Sequence, residues 1–129
     1  MASYPAINIQ HPISQEIVLG RKTVETRTYP VPPKYLGKEM ILVETPGSNG
    51  LFAARAVALI RFKRSYKYAS KKAFYLDYDR HLVSKESIWA WKDKAKWGWE
   101  VELIKVFSKP IKIRKRRGIV FTASLELPT

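Results

Sequence analysis

Gly20-Arg21-Lys22-Thr23-Val24-Glu25-Thr26-Arg27-Thr28 joins two different periodicities. Upstream, Ile13, Ile17 and Val18 recur at helical spacing; downstream, Val24 and the threonines alternate with charged residues, as strands do. Gly20 at the join takes a left-handed helix C-cap without steric cost. On the strand that follows, period-2 geometry predicts Thr23, Glu25 and Arg27 on one face and Lys22, Val24, Thr26 and Thr28 on the other. A basic, acidic and hydroxyl set is thus expected at a rigid helix-to-strand junction.

On the N-terminal side, Ala6 to Ile9 reads as a short strand, and His11-Pro12 opens the helix with Pro12 at its first position. Tyr29-Pro30-Val31-Pro32-Pro33 reads as a rigid extended loop. Met40-Ile41-Leu42-Val43 is a continuous apolar run, expected to be a strand buried on both faces and closed by Glu44-Thr45. After the turn signal Pro46 to Gly50, the apolar face Phe52, Ala54, Ala56, Ala58, Ile60, Phe62 predicts a long strand with Arg55 and Arg61 on its other side. Ser70 is expected to cap a helix over Lys71 to Leu82, and Ser84 a second one through Ile88, Trp91 and Ala95, ended by Trp97-Gly98. Trp99, Val101 and Leu103 alternate with acids as a half-buried strand. Pro110 to Arg114 continues extended, Arg114 to Gly118 makes a basic turn, and Ile119 to Leu127 forms a last strand. Five or six mostly antiparallel strands with short flanking helices place the chain in the α+β class, as a small, partly open β-barrel.

With 129 residues the chain is long enough for one core, and a single domain over 1–129 is expected. The absence of cysteine excludes disulfides, thiol catalysis and thiolate metal sites. Two distant histidines, His11 and His81, do not make an imidazole zinc site. Asp77 and Asp79 are too few for magnesium, and a lone His81 carries little information about acid–base work. No metal and no cofactor are therefore expected. The first residues show no secretory signal and no apolar run approaches a membrane span, so a soluble, cytoplasmic protein (nuclear in a eukaryote) acting as a monomer is expected.

The formal net charge is +13. Charge of that size bears on partners rather than on fold. It is clustered: Arg61, Lys63, Arg64, Lys67, Lys71 and Lys72 form one acid-free stretch interleaved with Phe62, Tyr66 and Tyr68. Lys105, Lys109, Lys112, Arg114, Lys115, Arg116 and Arg117 form another. Cations for phosphates and rings for bases are what single-stranded RNA requires. Arg114 to Arg117 also has the composition of a nuclear import signal, a short pattern of low specificity. Of the four tryptophans, the pattern assigns Trp91 and Trp99 to the core and leaves Trp89 and Trp97 open.

The Gly20-x-Lys22-Thr23-x-Glu25-x-Arg27 pattern behind a short amphipathic helix resembles the signature of ASCH (activating signal cointegrator homology) domains of the PUA-like superfamily. The run Ile41 to Val43, Gly98-Trp99-Glu100-Val101, and Phe107 to Pro110 before Gly118 to Phe121 agree with it. The resemblance implies a small barrel with a cleft beside the signature and an association with RNA. Some members are hydrolases of acetylcytidine nucleosides that use a Lys, a Thr and a distant Glu, and others are reported as ribonucleases. By position Lys22 matches the catalytic Lys, but the catalytic Thr falls where this chain has Glu25; Glu44 and Glu86 are candidates for the distant Glu. A carboxylate at residue 25 can act as a base toward water and cannot replace a hydroxyl nucleophile. The leading expectation is therefore RNA binding, with Lys22, Thr23 and Arg27 reading a nucleotide and Arg61, Lys63, Arg64 and Arg114, Lys115, Arg116, Arg117 holding backbone. The alternatives are a hydrolase using Lys22, Glu25 and Glu44, and an adaptor for an acidic protein.

Overall fold

A computed structural model of the chain describes residues 2–47, 53–113 and 120–128. The basic turn expected at Arg114 to Gly118 lies outside them, as does Phe52.

Alternation at the start of the chain extends into β1 (Ala2–Gln10). Helix α1 (Ile13–Val18) follows, with Pro12 at the N-cap, one position earlier than the first helical residue that the sequence predicts for it. Then come β2 (Val24–Arg27), β3 (Glu39–Thr45) and β4 (Arg55–Lys67). Helices α2 (Lys71–Leu76) and α3 (Tyr78–His81) precede β5 (Trp97–Lys112) and β6 (Phe121–Leu127). The strands form one six-stranded sheet in the order β2-β5-β4-β3-β1-β6. β1 and β3 run parallel, joined by a crossover that carries α1 and β2, and the other pairings are antiparallel. The order is open, with β2 and β6 at its edges.

The apolar run of β3 is buried on both faces, because successive side chains alternate across the sheet. Met40 and Leu42 join a cluster with Ile7, Ile17, Ile60, Phe62 and Trp99, while Ile41 and Val43 join one with Ala6, Ala56 and Leu59. Register shifts in β4 and β5 bend this long pair. Both faces of β4 are covered, so the even-numbered residues do not form the single apolar face that strict alternation predicts: Val57, Ala58, Ile60 and Phe62 join the first cluster, and Ala54, Ala56 and Leu59 the second. The largest shift sets Ala56 opposite Ile111 and Ala58 opposite Val106, so Pro110 lies in an unpaired excursion where its missing N–H is tolerated.

Ser70 caps α2 as its sequence predicts, its Oγ accepting from Ala73 N–H at 3.0 Å. The helix breaks at Asp77, and α3 ends at Leu82 in the left-handed region with φ 61°. The second predicted helix, from Ser84 to Ala95, is absent. Turns occupy residues 85–90 and β5 begins at Trp97. That segment packs few apolar groups, with Ile88 and Trp89 both exposed, so tertiary burial supports no helix there. Trp99 is fully buried as expected; Trp91 packs beneath α2 and α3 against Tyr68 and Phe74.

Candidate functional site

The junction at Gly20 is built as its sequence predicts. Gly20 has φ 77°, its N–H donates to the Ile17 carbonyl at 3.0 Å, and Arg21 N–H donates to the Glu16 carbonyl at 3.0 Å. These two bonds are the paired closure of a Schellman motif. Lys22 N–H also reaches the Glu16 carbonyl, at 3.0 Å, so the chain stays wound through residue 22. The strand proper starts only at Val24.

That winding corrects the strand-based assignment of Lys22 to the face opposite Glu25. Residues 22 and 23 are not in the strand, and the buried Lys22 side chain comes to the Glu25 carboxylate instead. Its Nζ lies 3.6 Å from Glu25 Oε1 and donates to the His81 carbonyl oxygen. Glu25 and Arg27 share a face, as predicted, and Arg27 Nη2 donates to Glu25 Oε2 at 3.1 Å. Thr26 N–H, on the edge strand β2, donates to Glu25 Oε1 at 3.1 Å. The Arg27 guanidinium also lies over the Trp99 ring, 5.7 Å from its centroid. Thr23 is exposed. Its backbone ties β2 to its neighbours, its N–H donating to the Arg80 carbonyl and its C=O accepting from Val101 N–H.

Burial pushes the Lys22 ammonium down, against the raising effect of Glu25; Arg27 nearby pushes in the same direction as burial. A third cation joins the group that sequence reasoning does not single out. Lys96 is buried, and burial pushes its ammonium down too, helped by Lys92 and opposed by Glu25. Lys96 directly precedes Trp97, the register partner of Arg27, so the β2–β5 pairing brings it to the same edge. In sequence it is one of several lysines between Lys92 and Lys96, and nothing there marks it out.

His81 ends α3, and both of its ring nitrogens are engaged in hydrogen bonds. Val83 N–H donates to its Nδ1 at 2.9 Å, so Nε2 carries the proton and donates to the Phe74 carbonyl at 2.6 Å. The ring is fully buried and stacked on Phe74 at 4.2 Å, and burial pushes its pKa down, which keeps it neutral.

Glu44 belongs to a different group. It is buried at the end of β3 and accepts from Ser14 Oγ at 2.7 Å and Arg55 Nε at 2.8 Å, with His11 Nδ1 at 3.3 Å. Burial opposes its ionisation, but these hydrogen bonds together hold its carboxyl below the usual range. Lys22 and Glu25 are not among its partners. Glu86, the other candidate for a distant Glu, is exposed in the turn region between α3 and β5.

The basic stretch of β4 is acid-free in sequence but not in space. Arg61 Nη1 donates to Glu102 at 2.8 Å, Arg64 Nε donates to Glu100 at 2.6 Å, and Lys63 lies 3.6 Å from Glu100. Antiparallel register sets Arg61 opposite Glu102 and Arg64 opposite Glu100. Lys67, Lys71 and Lys72 remain exposed, and no ion pair forms to them among the described residues. Asp77 is taken up by Arg80, whose Nε and Nη2 donate at 2.6 and 2.8 Å, and by Tyr68 O–H. Among the described residues no group of three or more metal-ligating side chains forms. Arg114, Lys115, Arg116 and Arg117 lie outside the described residues.

No protein-family model matches the sequence, and no curated protein matches it. Solved structures do match the fold. An ASCH protein from Zymomonas mobilis is 13% identical with a TM-score of 0.66, over 92% of this chain and 85% of that one. A point mutant of the Zymomonas mobilis protein is also 13% identical, with a TM-score of 0.67, over 92% of this chain and 88% of that one. The chain therefore has the fold of these ASCH structures, as its motif at Gly20 to Arg27 predicts.

Proposed function

We propose that this chain, with the fold of an ASCH domain, binds RNA, and that Lys22, Glu25 and Arg27 recognise a nucleotide at the β2 edge. The observation that carries this reading is the composition of that edge: two cations, Lys22 and Arg27, converge on one buried carboxylate beside a third, Lys96. Such a group presents hydrogen-bond donors and one acceptor in fixed positions, as base and phosphate recognition requires. Lys67, Lys71 and Lys72, free of acids, supply contacts to the phosphate backbone, and Thr23 lies exposed beside the nucleotide. Arg61, Lys63 and Arg64 join them by exchanging part of their pairing with Glu100 and Glu102 for phosphate.

The test is fluorescence anisotropy with labelled single-stranded RNA at increasing salt. Binding that weakens steeply with salt, and that Lys22→Met reduces by about tenfold, supports the reading; a salt-independent signal overturns it. A second reading rests on one observation: an ammonium whose proton is made easier to lose by burial stands 3.6 Å from a carboxylate. That pairing suits proton transfer during hydrolysis of RNA or a modified nucleoside. Incubation with acetylcytidine and with labelled RNA checks it, since turnover that survives Lys22→Met arises elsewhere.

A further inference from the structure

The alternation of the sequence gives Trp89 no core position, and the structure leaves it at the surface. Trp89 is 45% exposed and the adjoining Ile88 73% exposed, although the backbone beneath them is well tied. Ser87 N–H donates to the Ser84 carbonyl and Ala90 N–H to the Ser87 carbonyl, both at 3.1 Å, so two turns follow one another. Trp89 N–H donates to Ser87 Oγ at 3.0 Å. Val83 and Ala90 are buried on either side, so the loop is anchored at both ends while Ile88 and Trp89 stay in water. A large ring held in water is unfavourable until something covers it.

The loop folds onto α2 through Tyr75. Trp91 N–H donates to the Tyr75 hydroxyl at 3.1 Å, and Lys85 Nζ lies over the Tyr75 ring, 5.6 Å from its centroid. Lys71 and Lys72 stand four and three residues before Tyr75 in α2 and share its face. Trp89 is two residues before Trp91, a reach of at most ~7 Å. Segment 84–96 carries four lysines against two acids, Glu86 and Asp93, so the charge around the exposed ring is positive. Arg27, Trp97 and Lys67 share one rung across β2, β5 and β4, and Lys71 and Lys72 follow Lys67 closely in the chain. Cations therefore continue from the β2 edge to the face that carries Trp89.

We infer that Trp89 is a stacking platform for one base of a single-stranded RNA, whose neighbouring phosphates are held by Lys71, Lys72 and Lys85. Stacking takes the indole and the base out of water together and suits any base, because every base has a flat face. The loop backbone is already hydrogen-bonded, so little further ordering is needed when a base docks. A basic surface with exposed apolar groups could also meet an anionic membrane. That contact is ordinarily made by an amphipathic helix of several turns, whereas α2 and α3 are six and four residues long. The inference rests on the RNA-binding reading and adds to it a contact separate from Lys22, Glu25 and Arg27.

The experiment follows the anisotropy of two labelled oligomers, an oligouridylate and a ribose-phosphate chain of the same length without bases. Native protein, Trp89→Ala, Trp89→Phe and Lys22→Met are compared, all as the full chain, with unchanged thermal midpoints establishing that the variants are folded. Loss of about tenfold in oligouridylate affinity in Trp89→Ala, with retention in Trp89→Phe and no change on the chain without bases, supports the inference. An affinity that Trp89→Ala leaves within about twofold, or a loss that is equal on both oligomers, overturns it. A second readout does not depend on the Ala variant. The fluorescence that native protein has and Trp89→Phe lacks is expected to be quenched by oligouridylate and not by the chain without bases; equal behaviour with both overturns the inference. Vesicles of anionic lipid test the competing partner, and Trp89-dependent vesicle binding with RNA affinity intact in Trp89→Ala assigns the surface to a membrane instead. RNA binding that needs Lys22 but not Trp89 upholds the RNA reading and defeats this inference. Binding that needs Trp89 but not Lys22 upholds this inference and defeats the nucleotide site at β2, and native protein that binds neither oligomer defeats both.

Discussion

Among individual residues, the decisive groups are buried and charged or titratable, and their partners fix what each can do. Glu25 is the counter-charge for Lys22 and Arg27. Its removal leaves the Lys22 ammonium buried with only the His81 carbonyl, so Glu25→Ala is expected to destabilise the fold by about 3–5 kcal/mol. Lys22→Met removes the buried charge itself and leaves Glu25 with Arg27, so it costs less; urea unfolding of the two variants measures the order. His81 sets a pH dependence. Burial holds its folded pKa below the unfolded value of about 6.5, so on acidification the unfolded chain takes up the proton first. Its contribution to stability is complete above pH ~6.5 and falls away as pH drops from there toward the folded value. The low-lying carboxyls Glu16, Glu44, Asp77 and Glu100 lose their contributions at lower pH, through the carboxylate range. Unfolding free energies from pH 7.5 to 5 are expected to decline in the native chain and to flatten in His81→Gln.

Among the elements, β2, α3 and β5 are assembled around a glycine and a helix terminus. Gly98 faces Thr26 in the register and lies against two tyrosines, and a Cβ there would meet the Tyr66 ring and the Tyr68 hydroxyl at 2.9 Å. Tyr68 is locked by Asp77 and Tyr66 by Arg80, so neither ring is free to withdraw. Gly98→Ala is therefore expected to cost about 1–3 kcal/mol in denaturant unfolding. Local signals of this kind explain what is legible in the sequence. The Gly20 cap, the Ser70 cap and the two-faced run of β3 follow from short-range geometry that tertiary packing reinforces. The fate of Ser84 to Ala95 is not legible, because a capping residue and scattered apolar groups specify a helix only where something packs against it. Strict alternation puts Lys22 on the wrong side of the motif because the helix cap stays wound two residues past Gly20, which shifts the start of alternation.

For the whole molecule, the distribution of charge in space differs from its distribution along the chain. Arg61 and Arg64 sit in an acid-free stretch of sequence yet face Glu102 and Glu100 across the sheet, and only register reveals it. The same blindness hides Lys96, whose neighbours come from β2, more than sixty residues earlier. Among the β4 and α2 cations, the unpaired lysines are thus expected to dominate RNA binding. Substituting Lys67, Lys71 or Lys72 by Ala lowers the slope of log affinity against log salt by about 0.7 for each phosphate no longer neutralised. Arg64→Ala lowers it less, because its charge is already balanced in part by Glu100. Salt titrations of single variants separate the two classes.

The Glu25 carboxylate also bears on the open edge of the sheet. β2 is a sheet edge only four residues long, and the Thr26 N–H at that edge is occupied by the side chain of Glu25. A strand from a second molecule would need that donor and would have to displace a charge to reach it. Glu25 is thereby expected to disfavour edge-to-edge pairing at β2. In Glu25→Val that side chain is replaced by a strand-favouring apolar group, and sedimentation is expected to show more dimers and larger species than in the native chain.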